Sequence, residues 1–199
     1  MQPHLIILTD SYPQVNGAGI SQTLYNLLDG YAGHISVMVR GGEPLPRQED
    51  RLAANMVQYP AGPFRPWKNR LGRFMNPLLQ RRHIAWQATS TAICYSCLPP
   101  AAKSLVLVST TVPHKLHLAW CLLQKGYTVL PYFMDDWLAG NTLSWKGGNI
   151  QQIAKDILQK APAWLMISQN LKRVLMQRYQ LAEKPCLVVH NPAPEEVDS

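Results

Sequence analysis

Apolar residues along the chain fall into two alternating rhythms. Leu5-Ile6-Ile7-Leu8 is a short apolar run ending in Thr9-Asp10, the pattern of a parallel strand covered on both faces. A polar, Gly-rich loop follows from Ser11 to Gly19. Ile20, Leu24, Leu27, Leu28 and Tyr31 then share one helical face. Ile35 to Val39 reads as a second strand and Met56 to Tyr59 as a short third. Pro60 to Pro66 breaks regular structure. Beyond it, roughly Trp67 to Ile93, lies a basic amphipathic helix that Pro77 is expected to kink or split.

The rhythm then repeats. Leu105 to Val108 is a strand, and Val112 to Gln124 a helix closed by Lys125-Gly126. Thr128 to Phe133 is a strand running into Met134-Asp135-Asp136-Trp137. Asn149 to Lys160 is helical and Ala163 to Ile167 a strand. Ser168 is a suitable N-cap for a helix reaching Tyr179, and Cys186 to Val189 is the last strand. This alternation predicts an α/β fold: a Rossmann-like, doubly wound, mostly parallel sheet flanked by helices. Ligands on such sheets bind at the carboxyl ends of the strands. That rule selects the loop after the first strand, the residues after Phe133 and the Ser168 turn.

Charge sharpens this picture. The formal net charge is +7, but its distribution matters more. From Arg51 to Met134 there is no Asp or Glu, while ten Lys or Arg occur. The excess of base marks one region as a place for anions. Arg65, Lys68, Arg70, Arg73, Arg81 and Arg82 accompany Phe64, Trp67, Phe74 and Trp86. Cations with interfacial aromatics suit an anionic lipid surface or an anionic acceptor; a solvated surface helix has the same composition. No recognisable RNA or DNA module surrounds the patch, so nucleic acid is not the expected partner.

Three further constellations carry chemistry. Asn16-Gly17-Ala18-Gly19 joins a buried strand to a helix, where backbone N–H groups can approach an anion. It is not GxGxxG and has no acidic residue about twenty positions on, which disfavours a dinucleotide site. A tight turn alone is the simpler alternative. Asp135 and Asp136 end a buried strand, where carboxylates must be solvated, paired or used; one of them capping the next segment is the competing reading. Cys94 and Cys97 form a lone CxxC, too little for a metal site, so no metal and no cofactor is expected. The N-terminus lacks the run of a signal peptide, and no segment reaches 18 apolar residues. The expected location is cytoplasmic, with peripheral association at the cytoplasmic membrane face open.

The order of these motifs resembles the N-terminal, acceptor-side domain of retaining GT-B glycosyltransferases, the family-4-like group of glycogen-synthase and phosphatidylinositol-mannosyltransferase type. Asp10-Ser11-Tyr12-Pro13 with Asn16-Gly17-Ala18-Gly19 is similar to the opening of that group. Asp135-Asp136-Trp137 resembles its His-Asp-aromatic element, with Asp135 at the position of the His. Ala163 to Gln169 and Cys186 to Pro192 resemble its later strand-and-turn and the segment leading to the second domain. The resemblance implies an acceptor-binding domain over residues 1–192 and a hinge or linker tail over 193–199. It implies a UDP- or GDP-sugar as donor substrate and backbone amides at Gly17 and Gly19 near its diphosphate. It places Asp135 and Asp136 at the sugar or acceptor, with Asn16, Ser168 and Asn191 as further binding residues. The donor-binding C-terminal domain, in cis or in trans, is the implied partner, and the chain alone is expected to be inactive. Two alternatives predict different chemistry: a non-catalytic half-domain that docks a partner subunit or an anionic membrane surface, and another Rossmann-like enzyme that binds its own cofactor.

Overall fold

The computed structural model describes residues 2–17, 19–40, 45–59, 70–93, 98–141, 143–145 and 148–190. The strands are β1 (His4–Thr9), β2 (Ile35–Arg40), β3 (Asn55–Tyr59), β4 (Ser104–Ser109), β5 (Thr128–Phe133), β6 (Ser144–Trp145), β7 (Gly148–Asn149), β8 (Trp164–Met166) and β9 (Cys186–Val188). The helices are α1 (Ile20–Leu28), α2 (Arg70–Ile93), α3 (Pro113–Gln124), α4 (Ile150–Lys160) and α5 (Gln169–Tyr179). Seven strands form one sheet in the order β3-β2-β1-β4-β5-β8-β9, every pair parallel. β6 and β7 make a separate antiparallel hairpin. The expected Rossmann-like sheet is therefore present.

Alternate side chains of each strand feed opposite cores. Ile6 and Leu8 join Val106, Val108, Leu118, Ile157 and Leu175 on one face. Leu5 and Ile7 join Val37, Val39, Leu24 and Leu28 on the other. Crossover handedness explains which helices lie where. The step from β1 to β2 runs one way along the sheet, whereas the steps from β3 to β4, β4 to β5 and β8 to β9 run the other. Right-handed connections then place α1 on one face and α2, α3 and α5 on the opposite face.

The local signals work as expected at two helices. Asn149 accepts hydrogen bonds from Gln151 N and Gln152 N and starts α4; Ser168 accepts from Leu171 N at 3.1 Å and starts α5. At α2 the outcome differs. It runs from Arg70 to Ile93 as one helix with Pro77 inside, so the proline does not split it. Pro77 lacks one N–H donor, but the packing of Ile84 into the core holds this long helix against the sheet.

Candidate functional site: the carboxyl edge of the sheet

Because all seven strands are parallel, their carboxyl ends share one edge. The register pairs Thr9 with Ser109 and Val108 with Pro131, so the ends of β1, β4 and β5 are level. β1 and β5 are two strand spacings apart, about 10 Å. The glycine loop after β1 and the aspartates after β5 therefore occupy one rim.

The crevice where strand order reverses lies between β1 and β4, and a fastening that local sequence patterns do not reveal closes it. Asp10 reaches across from the end of β1. Its carboxylate accepts from Thr110 Oγ1, from Thr111 N at 2.7 Å and from Thr111 Oγ1 at 2.9 Å. Lys115, on α3, stands 3.9 Å from Asp10 Oδ1 with its side chain only 5% exposed, and its Nζ also donates to Thr9 O. Ser109-Thr110-Thr111, a polar run ending a buried strand, is the only sequence signal for this arrangement.

The glycine loop is also pinned. Val15 N donates to Asp50 O, Leu52 N to Pro13 O and Asn16 Nδ2 to Asp50 Oδ1. Gly17 N donates to Gln14 O at 3.2 Å, so this amide serves the turn. A side chain at Gly17 would also collide with Ser21, whose Oγ lies 2.5 Å from the position of a Cβ. Gly19 caps α1 with φ +54° and ψ −119°, a conformation that favours glycine, and supplies no side chain to the first turn of the helix. The N-terminal amides of α1 thus meet the rim with no side-chain cap.

The two aspartates have separated roles. Asp136 forms a two-pronged ion pair with Arg178 of α5; the two side chains are 29% and 27% exposed. This carboxylate holds the Arg178 guanidinium well above its ordinary pKa. Asp135 is exposed, and one of its oxygens accepts from Trp137 N at 3.2 Å. Of the pair, Asp135 is the carboxylate that faces solvent at the rim.

The other candidates divide by location. Ser168 sits at the carboxyl end of β8 and serves as a helix cap. Asn191, Arg65 and Lys68 lie outside the described residues, as do Cys94 and Cys97. Arg70 and Arg73 belong to α2, with side chains outside the described set. Arg82 is exposed, and Arg81 lines a cavity of about 490 Å³ with Trp137, Gly140, Asn141 and Leu143. A second hollow of about 260 Å³ is lined by Thr23, Asn26 and Leu27 of α1 and by Val189 and His190. Tyr132 Oη donates to Val189 O at 3.0 Å, which brings the chain after β9 back along the rim. No helix among the described residues is long and apolar enough to cross a membrane.

No family model and no curated protein matches the chain. Similar folds do occur among solved structures. A sucrose-phosphate synthase from Thermosynechococcus elongatus superposes with a TM-score of 0.56 at 12% identity, over 96% of this chain and 90% of that one. Arabidopsis thaliana UGT89C1, complexed with UDP-L-rhamnose, gives 0.51 at 10% identity over 98% of this chain and 50% of its own. Medicago truncatula UGT71G1, complexed with UDP-glucose, gives 0.52 at 10% over 98% and 54%. The chain thus spans about half the length of these two plant proteins. The shared property is the α/β Rossmann-like fold, the one expected from the alternating pattern, and the structures that carry it are glycosyltransferases of GT-B type.

Proposed function

We propose that this chain is the acceptor-binding half of a retaining GT-B glycosyltransferase of the family-4-like group. A sugar would pass from a UDP- or GDP-sugar to an acceptor hydroxyl, with the donor-binding half supplied in cis beyond residue 192 or in trans. The observation that carries this reading is the shared rim: the uncapped start of α1 and the solvent-facing Asp135 lie on one edge of a sheet whose fold matches glycosyltransferases. A helix N-terminus favours the diphosphate of a donor held by the opposing half. Asp135 is the group to accept the proton of the acceptor hydroxyl, an acceptor-only role that suits a carboxylate. Asp136, held by Arg178, keeps the segment in place.

The test is transfer by the assembled two-half enzyme, followed as release of nucleoside diphosphate. Asp135→Asn should lower turnover by about 100-fold or more, the scale of a lost general base, while leaving thermal stability within about 0.5 kcal/mol of the parent. The chain alone should release no nucleotide. Unchanged turnover in the variant, or tight NAD binding by the chain itself, would end this reading.

One observation favours work at a membrane surface. Leu71, Phe74 and Leu78 stand on one stripe of the basic helix α2 and are exposed, Phe74 to 82%. Sedimentation with vesicles should show binding to anionic lipid and loss of it when Arg70, Arg73, Arg81 and Arg82 are replaced by Ser. Equally weak binding to neutral and anionic vesicles would remove the membrane from the picture.

A further inference from the structure

The loop after β5 has its carbonyls and backbone amides bonded, and it leaves one buried side-chain donor, Trp137 Nε1, without a partner. Tyr179 Oη donates to Gln151 Oε1, which fixes the Gln151 amide. Gln151 Nε2 in turn donates to the carbonyls of Leu138 and Asn141. Ala139 N donates to Asp136 O, and Leu143 N donates to Asn141 Oδ1 at 3.0 Å. The last bond orients the Asn141 amide, so the capacity it retains is the donor Nδ2.

The same loop lines one side of the 490 Å³ hollow, which is wide open to solvent, and α2 lines another through Arg81. Trp137 Nε1 and Arg81 Nε are both shielded from water, and neither has a hydrogen-bond partner. No ion pair of Arg81 occurs among the described residues. Among the described residues the lining contains a guanidinium, an indole N–H and a carboxamide, and no carboxylate. The nearby Asp136 is already matched by Arg178. A half-buried cation beside an unpartnered buried N–H is costly in the empty site and is relieved by a bound anion.

We propose that this cavity binds an oxyanion, a carboxylate or phosphate carried by a small hydroxylated ligand. Arg81 supplies the charge, and Trp137 Nε1 with Asn141 Nδ2 supplies directed hydrogen bonds. The volume lies within the range of about 300–1,000 Å³ usual for small-molecule sites. Its identification as the anionic end of the acceptor subsite rests on the transferase reading above; oxyanion binding itself does not.

The experiment is a titration of the ¹⁵N-labelled full chain with glucose 6-phosphate, glucuronate and glucose at constant ionic strength. The indole resonance of Trp137 is read, assigned by its loss in Trp137→Phe. Either anion should shift that resonance saturably, and Arg81→Met should weaken the response at least tenfold. A response to glucose 6-phosphate alone identifies a phosphate site, to glucuronate alone a carboxylate site, and to both a general oxyanion site. The inference is overturned if the resonance ignores both anions, if glucose shifts it equally, or if Arg81→Met leaves the response unchanged. Should Arg81→Met fail to fold, calorimetry of the same anions with the parent and Trp137→Phe decides: equal affinity overturns the inference. A chain that binds the anions but supports no transfer when assembled loses the transferase reading and keeps this one.

Discussion

Two stretches of the same rim have opposite character. The loop after β1 is closed on itself: Asp10 is held by Thr110, Thr111 and Lys115, and the glycine turn is tied to residues 50–52. The loop after β5 has its carbonyls bonded, yet it leaves Trp137 Nε1 without a partner and Asp135 turned to solvent. Buried polar groups in folded proteins are normally satisfied. A stretch with a buried donor left open is where a ligand completes the bonding, whereas the loop after β1 is fastened and presents only the uncapped start of α1 to the rim. The glycine loop, the more conspicuous motif in sequence, is the better fastened of the two.

Breaking the fastening gives the largest effect. Asp10→Ala leaves Lys115, almost fully buried, without its carboxylate, and removes the acceptor of Thr110 and Thr111. Removing one partner of a buried pair costs about 3–5 kcal/mol; because Asp10 is 23% exposed, the lower end applies. Urea unfolding should therefore show a loss of about 3 kcal/mol. A loss below about 1 kcal/mol would mean that the crevice between β1 and β4 is held by something else.

The next effect isolates backbone geometry within the same loop. A Cβ on Gly19 would meet no atom within 4 Å, so Gly19→Ala acts only through its positive φ. A strained backbone of this kind costs about 1–3 kcal/mol. Thermal melting should place Gly19→Ala about 2 kcal/mol below the parent. If that change proves neutral, the loop can relax, and its contrast with the loop after β5 is smaller than drawn.

These two positions also mark what the sequence could and could not reveal. Alternation of apolar runs with 3.6-residue patterns placed β1, β4, β5 and the capped helices α4 and α5, because burial on a strand or helix face is a local property. Strand order was accessible only through the general handedness of parallel crossovers. The Asp10 fastening joins residues 100 apart, and Arg178 meets Asp136 across 42 positions; neither has a periodic signature. The hairpin β6–β7 went unseen because two-residue strands carry no period at all. Asp135 and Asp136 were legible as a pair but not as a division of labour, since that depends on which one α5 reaches.

The last effect concerns α3, which backs the fastened side of the rim, and it appears only in acid. His117 is buried there, its ring tilted against Trp120 at 5.7 Å, and burial lowers its pKa from 6.5 to about 4. Above pH 6.5 the imidazole is neutral in both folded and unfolded chains. Between 6.5 and 4 the unfolded chain takes up a proton that the folded chain does not. Stability therefore falls as pH falls through that window, by at most about 1.4 kcal/mol per pH unit for one proton. His117→Gln removes this contribution, so its unfolding free energy should fall less steeply from pH 6.5 to 4 than that of the parent. Equal slopes in parent and variant would show that His117 is not the group coupling acid to unfolding.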